Sequence, residues 1–350
     1  MRNLILIAIA AATLQAAPTF QGQITSNVTN FGGSVATDGS TLAVGSFSSV
    51  DFYRWDGKTW IFNSRVAVPA FTVGLAVYKT SAVGKHANGA YAFEFNGTTW
   101  SLTQSLALAD GFGTYGGTII SLLNNTAVIG APNISNGRGQ AYVLARATPG
   151  TPWSLVQTLF AQTSNPDNYG ISVALGAVGT TRYLLVGASM FNNASGVVYA
   201  YLQNGSTFTI AGVIPSPASG TARFGQTIAA AGTNTLVGAP ANLGFSGSAH
   251  LYSIAFPSGQ LAATATSYLT SPGLTLYGTG LALTSTYALI ASRDTLDWHP
   301  VISGSLGIAT HLQVPAHSSG WGVALASASG QTFVADYGAF NNAGAVSWYR

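Results

Sequence analysis

Arg223 to Tyr252 reads RFGQTIAAAGTNTLVGAPANLGFSGSAHLY, and this stretch decides the fold. An aromatic-glycine pair, Phe224-Gly225, opens a short apolar run. A small polar turn follows, and then Thr235-Leu236-Val237 runs into Gly238-Ala239-Pro240. The chain returns through Gly247 into Ala249-His250-Leu251-Tyr252. Alternating small and apolar residues suit strands, while the Gly and Pro positions mark where the backbone must bend. The stretch therefore predicts three short strands and two turns.

The same pattern occurs seven times. The first copy opens at Phe31-Gly32 and runs through Leu42-Ala43-Val44-Gly45 to Val50-Asp51-Phe52-Tyr53. The second, from Phe71, is worn down to Gly74-Leu75-Ala76-Val77, Ser81-Ala82-Val83-Gly84 and Gly89-Ala90-Tyr91. The third opens at Tyr115-Gly116 and the fourth at Tyr169-Gly170. The fifth is the stretch quoted above. The sixth opens at Tyr277-Gly278, and the seventh runs from Trp321-Gly322 to Trp348-Tyr349. Between copies lies a fourth strand, often announced by an aromatic, as in Trp60-Ile61-Phe62, Trp100-Ser101-Leu102 and Trp153-Ser154-Leu155. Four strands repeating every ~40 to 55 residues are the signature of a propeller blade. The expected fold is all-β, a single seven-bladed β-propeller over residues 18–350.

Closure decides between a ring and an open array. The last copy stops on its third strand, and Thr19-Phe20-Gln21-Gly22-Gln23-Ile24 has the character of the missing fourth. Pairing of that segment with the strand ending at Trp348 would leave no open sheet edge.

Composition agrees. Hydrophobic residues make up 47% and charged residues only 6%, with 42 Gly, so Gly, Ser, Thr and Asn must build the turns. The net charge of +3 is spread over single residues such as Arg54, Lys85, Arg138 and Arg223. No run could neutralise successive phosphates, so nucleic acid is not an expected partner. Cysteine is absent, which excludes disulfides and thiolate chemistry. Residues 1–17 read as a secretory signal peptide: Met1-Arg2-Asn3 is a basic start, Leu4 to Ala12 a short apolar core, and Ala16 a small residue at a cleavage point. No later stretch has the length and apolarity of a membrane helix. The expected localisation is extracellular.

Phe224-Gly225 with Gly238-Ala239-Pro240, and Tyr115-Gly116 with Gly130-Ala131-Pro132, resemble the FG-GAP repeat. The likeness covers almost all of the chain past the leader. The fourth copy has Gly187-Ala188-Ser189 in place of Gly-Ala-Pro, and the first has Gly45-Ser46. The resemblance implies the seven-bladed propeller of integrin α chains and many secreted microbial proteins, with extracellular recognition or adhesion. In some members it also implies calcium, held in the turn between the first two strands. Here those turns are Thr37-Asp38-Gly39-Ser40, Leu123-Asn124-Asn125-Thr126, Ala231-Gly232-Thr233-Asn234 and Ser327-Ala328-Ser329-Gly330, and only one carries an acid. Calcium needs several oxygen ligands, so no metal or other cofactor is expected.

Candidate chemistry is sparse. There are nine acidic residues, and Glu94 is the sole Glu. The closest pair of carboxylates is Asp294 and Asp297, within Ser292-Arg293-Asp294-Thr295-Leu296-Asp297-Trp298-His299-Pro300, which stands where the sixth copy would have its Gly-Ala-Pro loop. As a ligand loop, Trp298 would stack on a sugar face while Arg293, Asp294, Asp297 and His299 supply polar contacts. As plain structure, it is a solvated turn with an internal ion pair and a capping aromatic. His86, His250, His299, His311 and His317 are irregularly spaced and share no helical face. Asn27, Asn96, Asn124, Asn133, Asn193 and Asn204 each begin an Asn-x-Ser/Thr sequon, so each is a candidate glycan acceptor in a eukaryotic secretory route.

These readings favour a non-enzymatic propeller that binds an extracellular protein or glycan through its loops. A carbohydrate-active enzyme would need two facing carboxylates, which the chain is poorly supplied to provide. A structural component of an extracellular coat or particle is a third reading.

Overall fold

In the computed structural model the described residues are 16–109, 119–217, 220–270, 275–293, 295–315, 321–336, 338 and 343–350. Seven antiparallel sheets form the seven blades expected from the repeats. Blade 1 comprises Ser34–Thr37, Thr41–Gly45, Ser49–Trp55 and Trp60–Ala67, and blade 2 comprises Gly74–Tyr78, Ser81–His86, Gly89–Phe95 and Trp100–Ala107. Blade 3 comprises Ile120–Leu123, Thr126–Ala131, Gln140–Ala145 and Ser154–Phe160, and blade 4 Tyr169–Val178, Thr181–Ala188, Val197–Asn204 and Thr207–Pro215. Blade 5 comprises Thr227–Ala231, Asn234–Ala239, Ser248–Ala255 and Ala262–Thr270. Blade 6 has Gly280–Leu283, Tyr287–Ala291 and Leu296–Ile302, and its fourth strand is split into Ser305–Leu306 and Thr310–His311.

Blade 7 takes Trp321–Ala328, Gln331–Asp336 and Ala345–Tyr349 from the end of the chain and Phe20–Thr25 from its start. The two ends pair antiparallel, with Phe20 opposite Tyr349 and Ile24 opposite Val346. Thr19 and Arg350 add reciprocal backbone hydrogen bonds at 2.8 and 3.0 Å. The expected stitch is present, and it leaves no third-strand edge of blade 7 open.

The core is divided among the seven blade boundaries. Seven buried clusters each draw on two neighbouring blades, including one between blades 7 and 1 around Phe31, Leu42, Phe333 and Val346. Side-chain alternation explains this, because successive residues of a strand point to opposite faces. In the second strand of blade 4, Leu184, Val186 and Ala188 face blade 3, while Tyr183 and Leu185 face blade 5. A blade buried on both faces needs apolar residues in both registers, hence near-continuous runs such as Tyr-Leu-Leu-Val at 183–186.

The aromatic-glycine openings belong to these boundaries. Phe31, Tyr169, Phe224 and Tyr277 are almost fully buried, and each bridges to a Gly that starts the third strand of the preceding blade (Gly344, Gly139, Gly196 and Gly247). The glycine of Gly-Ala-Pro also serves the boundary. A Cβ on Gly130 would collide with the Gly170 carbonyl oxygen of the next blade. Tyr115-Gly116 lies outside the described residues.

The strands run up and down, so the loops between second and third strands share one end of the ring with the links between blades. Turns between first and second, and between third and fourth, share the other end. Asp38, the one acid in a first turn, is occupied there as a cap. Its Oδ1 accepts from the Ser40 and Thr41 N–H groups at 2.9 and 2.8 Å, and its Oδ2 from Lys79 N–H of blade 2 at 2.8 Å.

Candidate functional site

Three blades carry long loops between their second and third strands, and these loops share one backbone design. They run from Ala131 to Gly139, Ala188 to Gly196 and Ala239 to Gly247, each with a single helical turn: Ile134–Gly137, Phe191–Ala194 and Asn242–Phe245. Three residues in each turn have positive φ: Ser135, Asn136 and Gly137; Asn192, Asn193 and Ala194; Leu243, Gly244 and Phe245. Asn and Gly tolerate that conformation best, which accounts for the Asn/Gly content of the loops. The end of each loop then docks on the next blade. Gly137 and Arg138 carbonyls accept from Asn168 and Tyr169, those of Ala194 and Ser195 from Arg223 and Phe224, and those of Phe245 and Ser246 from Leu276 and Tyr277, at 2.7–3.2 Å.

These three loops wall three similarly placed clefts on one face. The blade-5 cleft is the largest at about 940 Å³, followed by about 480 Å³ at blade 4 and about 230 Å³ at blade 3. Each lies between its loop, the third strand and the outgoing end of the fourth. Blades 1 and 6 have much shorter loops here, Ser46–Ser48 and Ser292–Thr295.

The blade-5 cleft holds a connected set of uncharged polar groups. Asn242 Nδ2 donates to Ser248 Oγ at 3.0 Å and to Tyr268 Oη at 3.2 Å, and Ser248 Oγ is 2.9 Å from His250 Nε2. The His250 ring lies edge-to-face on Phe224 at 5.4 Å and against Tyr268 at 4.8 Å. Burial pushes its pKa down to about 4, because the charged imidazolium loses its hydration, so the ring is neutral at physiological pH. Tyr268 itself is 54% exposed, and Leu243 and Phe245 on the loop are 60% and 51% exposed. Among the described residues, no ionisable acid, lysine or arginine lines this cleft.

His250 marks a position that is polar or polar-tipped in every blade. The residues in the equivalent third-strand register are Asp51, Tyr91, Tyr142, Tyr199, His250, Asp297 and Ser347, all buried. Several are satisfied by the fourth strand. Asp51 pairs with Arg65 at 2.7 Å, Asp297 Oδ1 lies 2.6 Å from His311 Nδ1, and Gln23 Nε2 donates to Ser347 Oγ at 3.3 Å.

The Ser292–Pro300 segment, read from sequence as either a ligand loop or a solvated turn, is mostly strand. Its loop portion is short, and Asp297, Trp298 and His299 lie on the third strand of blade 6, each 3% exposed. Residues Leu296 to Val301 alternate, with Leu296 and Trp298 in the core facing blade 7 and Asp297 and His299 turned to the side of Tyr277. His299 Nε2 is 3.2 Å from Tyr277 Oη and its Nδ1 3.0 Å from the Gly307 carbonyl. Trp298 is thus a core residue with no face free for a sugar. Arg293 lies in the short loop, with its backbone N–H bonded to the Thr275 carbonyl at 3.1 Å. Asp294 and His317 lie outside the described residues.

Of the sequons, Asn27, Asn96, Asn193 and Asn204 are exposed, whereas Asn124 and Asn133 are half-buried. Asn133 and Asn193 sit in the cleft-forming loops of blades 3 and 4. Asn96 is engaged in its own turn, its Oδ1 accepting from Thr98 and Thr99 N–H groups at 2.9 Å.

Among the described residues, no group of three His, Asp or Glu is arranged to hold a metal, and no helix is long and apolar enough to cross a membrane. Neither a protein-family model nor a curated protein matches this chain. The cleft residues Asn242, His250 and Tyr268, with Ser248 behind them, were not among the sequence candidates, because they are spread over three elements and form no motif. The available signal was the polar third-strand position, visible only after strand register is assigned.

Proposed function

We propose that this chain is a secreted, non-enzymatic propeller of the FG-GAP type that recognises an extracellular macromolecule or surface glycan. Recognition uses the face that carries the long loops of blades 3, 4 and 5. The observation that supports this most is the repetition of one cleft design on three successive blades, with exposed Leu243, Phe245 and Tyr268 beside the largest. Rigid repeats that present a row of similar pockets suit extended ligands. The blade-5 cleft offers hydrogen-bonding groups and an aromatic face without a carboxylate pair, which suits binding better than glycoside cleavage.

The test uses the purified mature protein on arrays of glycans and of extracellular proteins, beside a Leu243→Ser/Phe245→Ser variant. Both side chains are exposed, so the fold should be retained. Specific binding that the variant loses supports the reading. Binding that survives in the variant would move recognition to another surface, and turnover of any glycan would replace the reading with an enzymatic one.

A further inference from the structure

Resting on that reading, we infer that the blade-5 cleft is a subsite for an uncharged sugar unit, with Tyr268 as its stacking platform and Asn242 and His250, braced from behind by Ser248, as its polar floor. Three observations carry the ligand class. First, the lining is neutral: Asn242, Thr221, His250 and Tyr252 are uncharged polar side chains, and among the described residues no acid, lysine or arginine is there to pair with a charged ligand. A uronate or sialate carboxylate would lose hydration there without a compensating charge. Second, Tyr268 is half-exposed while its hydroxyl is held by the Asn242 amide and its ring is braced by His250. The ring is therefore fixed in place, and a fixed aromatic face binds the apolar side of a pyranose with little ordering cost. Third, the volume of about 940 Å³ exceeds what one sugar ring needs, and the cleft is lined from Pro217 and Ala222 across to Tyr268, so the unit suits a chain rather than a free monosaccharide.

An apolar ligand fits less well, because it would strip water from the exposed Thr221 without replacing its hydrogen bonds.

The experiment is saturation-transfer NMR and calorimetry of the full mature protein with neutral oligosaccharides of hexose, pentose and N-acetylhexosamine units. Uronate and sialylated oligosaccharides of matched length serve as the charged arm. Expected is binding of at least one neutral series, weakened about tenfold or more by Tyr268→Ala, restored within about threefold by Tyr268→Phe, and about tenfold weaker for the charged counterparts. Tyr268 is exposed enough for its alanine variant to fold, and the phenylalanine variant separates stacking from the hydroxyl contact. Neutral-sugar binding untouched by Tyr268→Ala would overturn the cleft assignment while leaving loop-face recognition standing. Preference for the charged series would overturn the ligand class. Binding of no sugar in either arm would overturn the inference; in that case, retention of an extracellular protein by wild type but not by Leu243→Ser/Phe245→Ser would show that the broader reading survives.

Discussion

Arg146 of blade 3 reaches across the blade boundary to Glu94 of blade 2, and its guanidinium lies 4.3 Å over the ring of Trp153. Glu94 is the only glutamate in the chain, and the Arg146 side chain is 1% exposed. Ser81 Oγ bonds to both partners. A buried guanidinium that loses its counter-charge is far costlier than an exposed one. Glu94→Ala is expected to lower stability by about 3 kcal/mol. Pairing it with Arg146→Met should recover part of that loss. A denaturant double-mutant cycle measures the coupling, and additive single effects would deny the pair its structural role.

Gly130→Ala would place a methyl group in the backbone of the next blade, against the Gly170 carbonyl. Two blades must move apart to admit it, so a loss of about 3 kcal/mol or more is expected, in the range of severe overpacking. Gly57→Ala, with nothing within 4 Å but φ at +101°, should cost only about 1 kcal/mol. Comparison of the two melts separates close approach from backbone conformation.

Deleting Pro18 to Asn30 removes the outer strand of blade 7. Trp348 and Tyr349 then lose their cross-strand partners Gly22 and Phe20, and the ring loses the strand pairing that stitches its two chain ends. The melting temperature should fall sharply, and a peptide spanning residues 18–30, added in trans, should restore part of it. An unchanged melt would mean that the seven boundaries hold the ring without the stitch.

Trp298 lies in the core between blades 6 and 7, with its ring 6.3 Å from that of Tyr287. Trp298→Ala should cost about 3–5 kcal/mol, as large aromatic deletions in cores do. Trp298→Phe, milder in volume, should bind any ligand of the loop face as wild type does.

Acid should weaken the fold through its buried histidines. Desolvation is the main cause that lowers the pKa of His250 (to about 4), His86 and His299. The unfolded chain takes up these protons near pH 6.5, before the folded protein does. The contribution to stability is therefore full above about pH 6.5 and is lost progressively as pH falls toward 4. For His250 alone the loss by pH 4 is on the order of 3 kcal/mol. Urea midpoints measured from pH 7.5 to 4 should decline, and His250→Gln should flatten the slope.

The repeat count, the four-strand blade and the closing role of Phe20–Thr25 were legible in the sequence, because each rests on local pattern: aromatic-glycine openings, apolar runs and a chain that stops one strand short. The Ser292–Pro300 segment shows the limit. Its polar composition reads as a loop, yet Leu296 to Val301 also alternates with period two, and only the pairing of Ile290 with Asp297 and Leu289 with Trp298 selects the strand.

The amino-acid order alone determined a ring of seven similar sheets, since every copy carries apolar residues in both registers and must bury both faces against a neighbour. The tertiary structure decided where ligands can enter. Asn242, Ser248, His250 and Tyr268 come together only because antiparallel pairing brings a loop, a third strand and a fourth strand to one end of blade 5. Local sequence fixes which residues form strands, while convergence of distant polar groups depends on register and on the stacking of one blade upon the next.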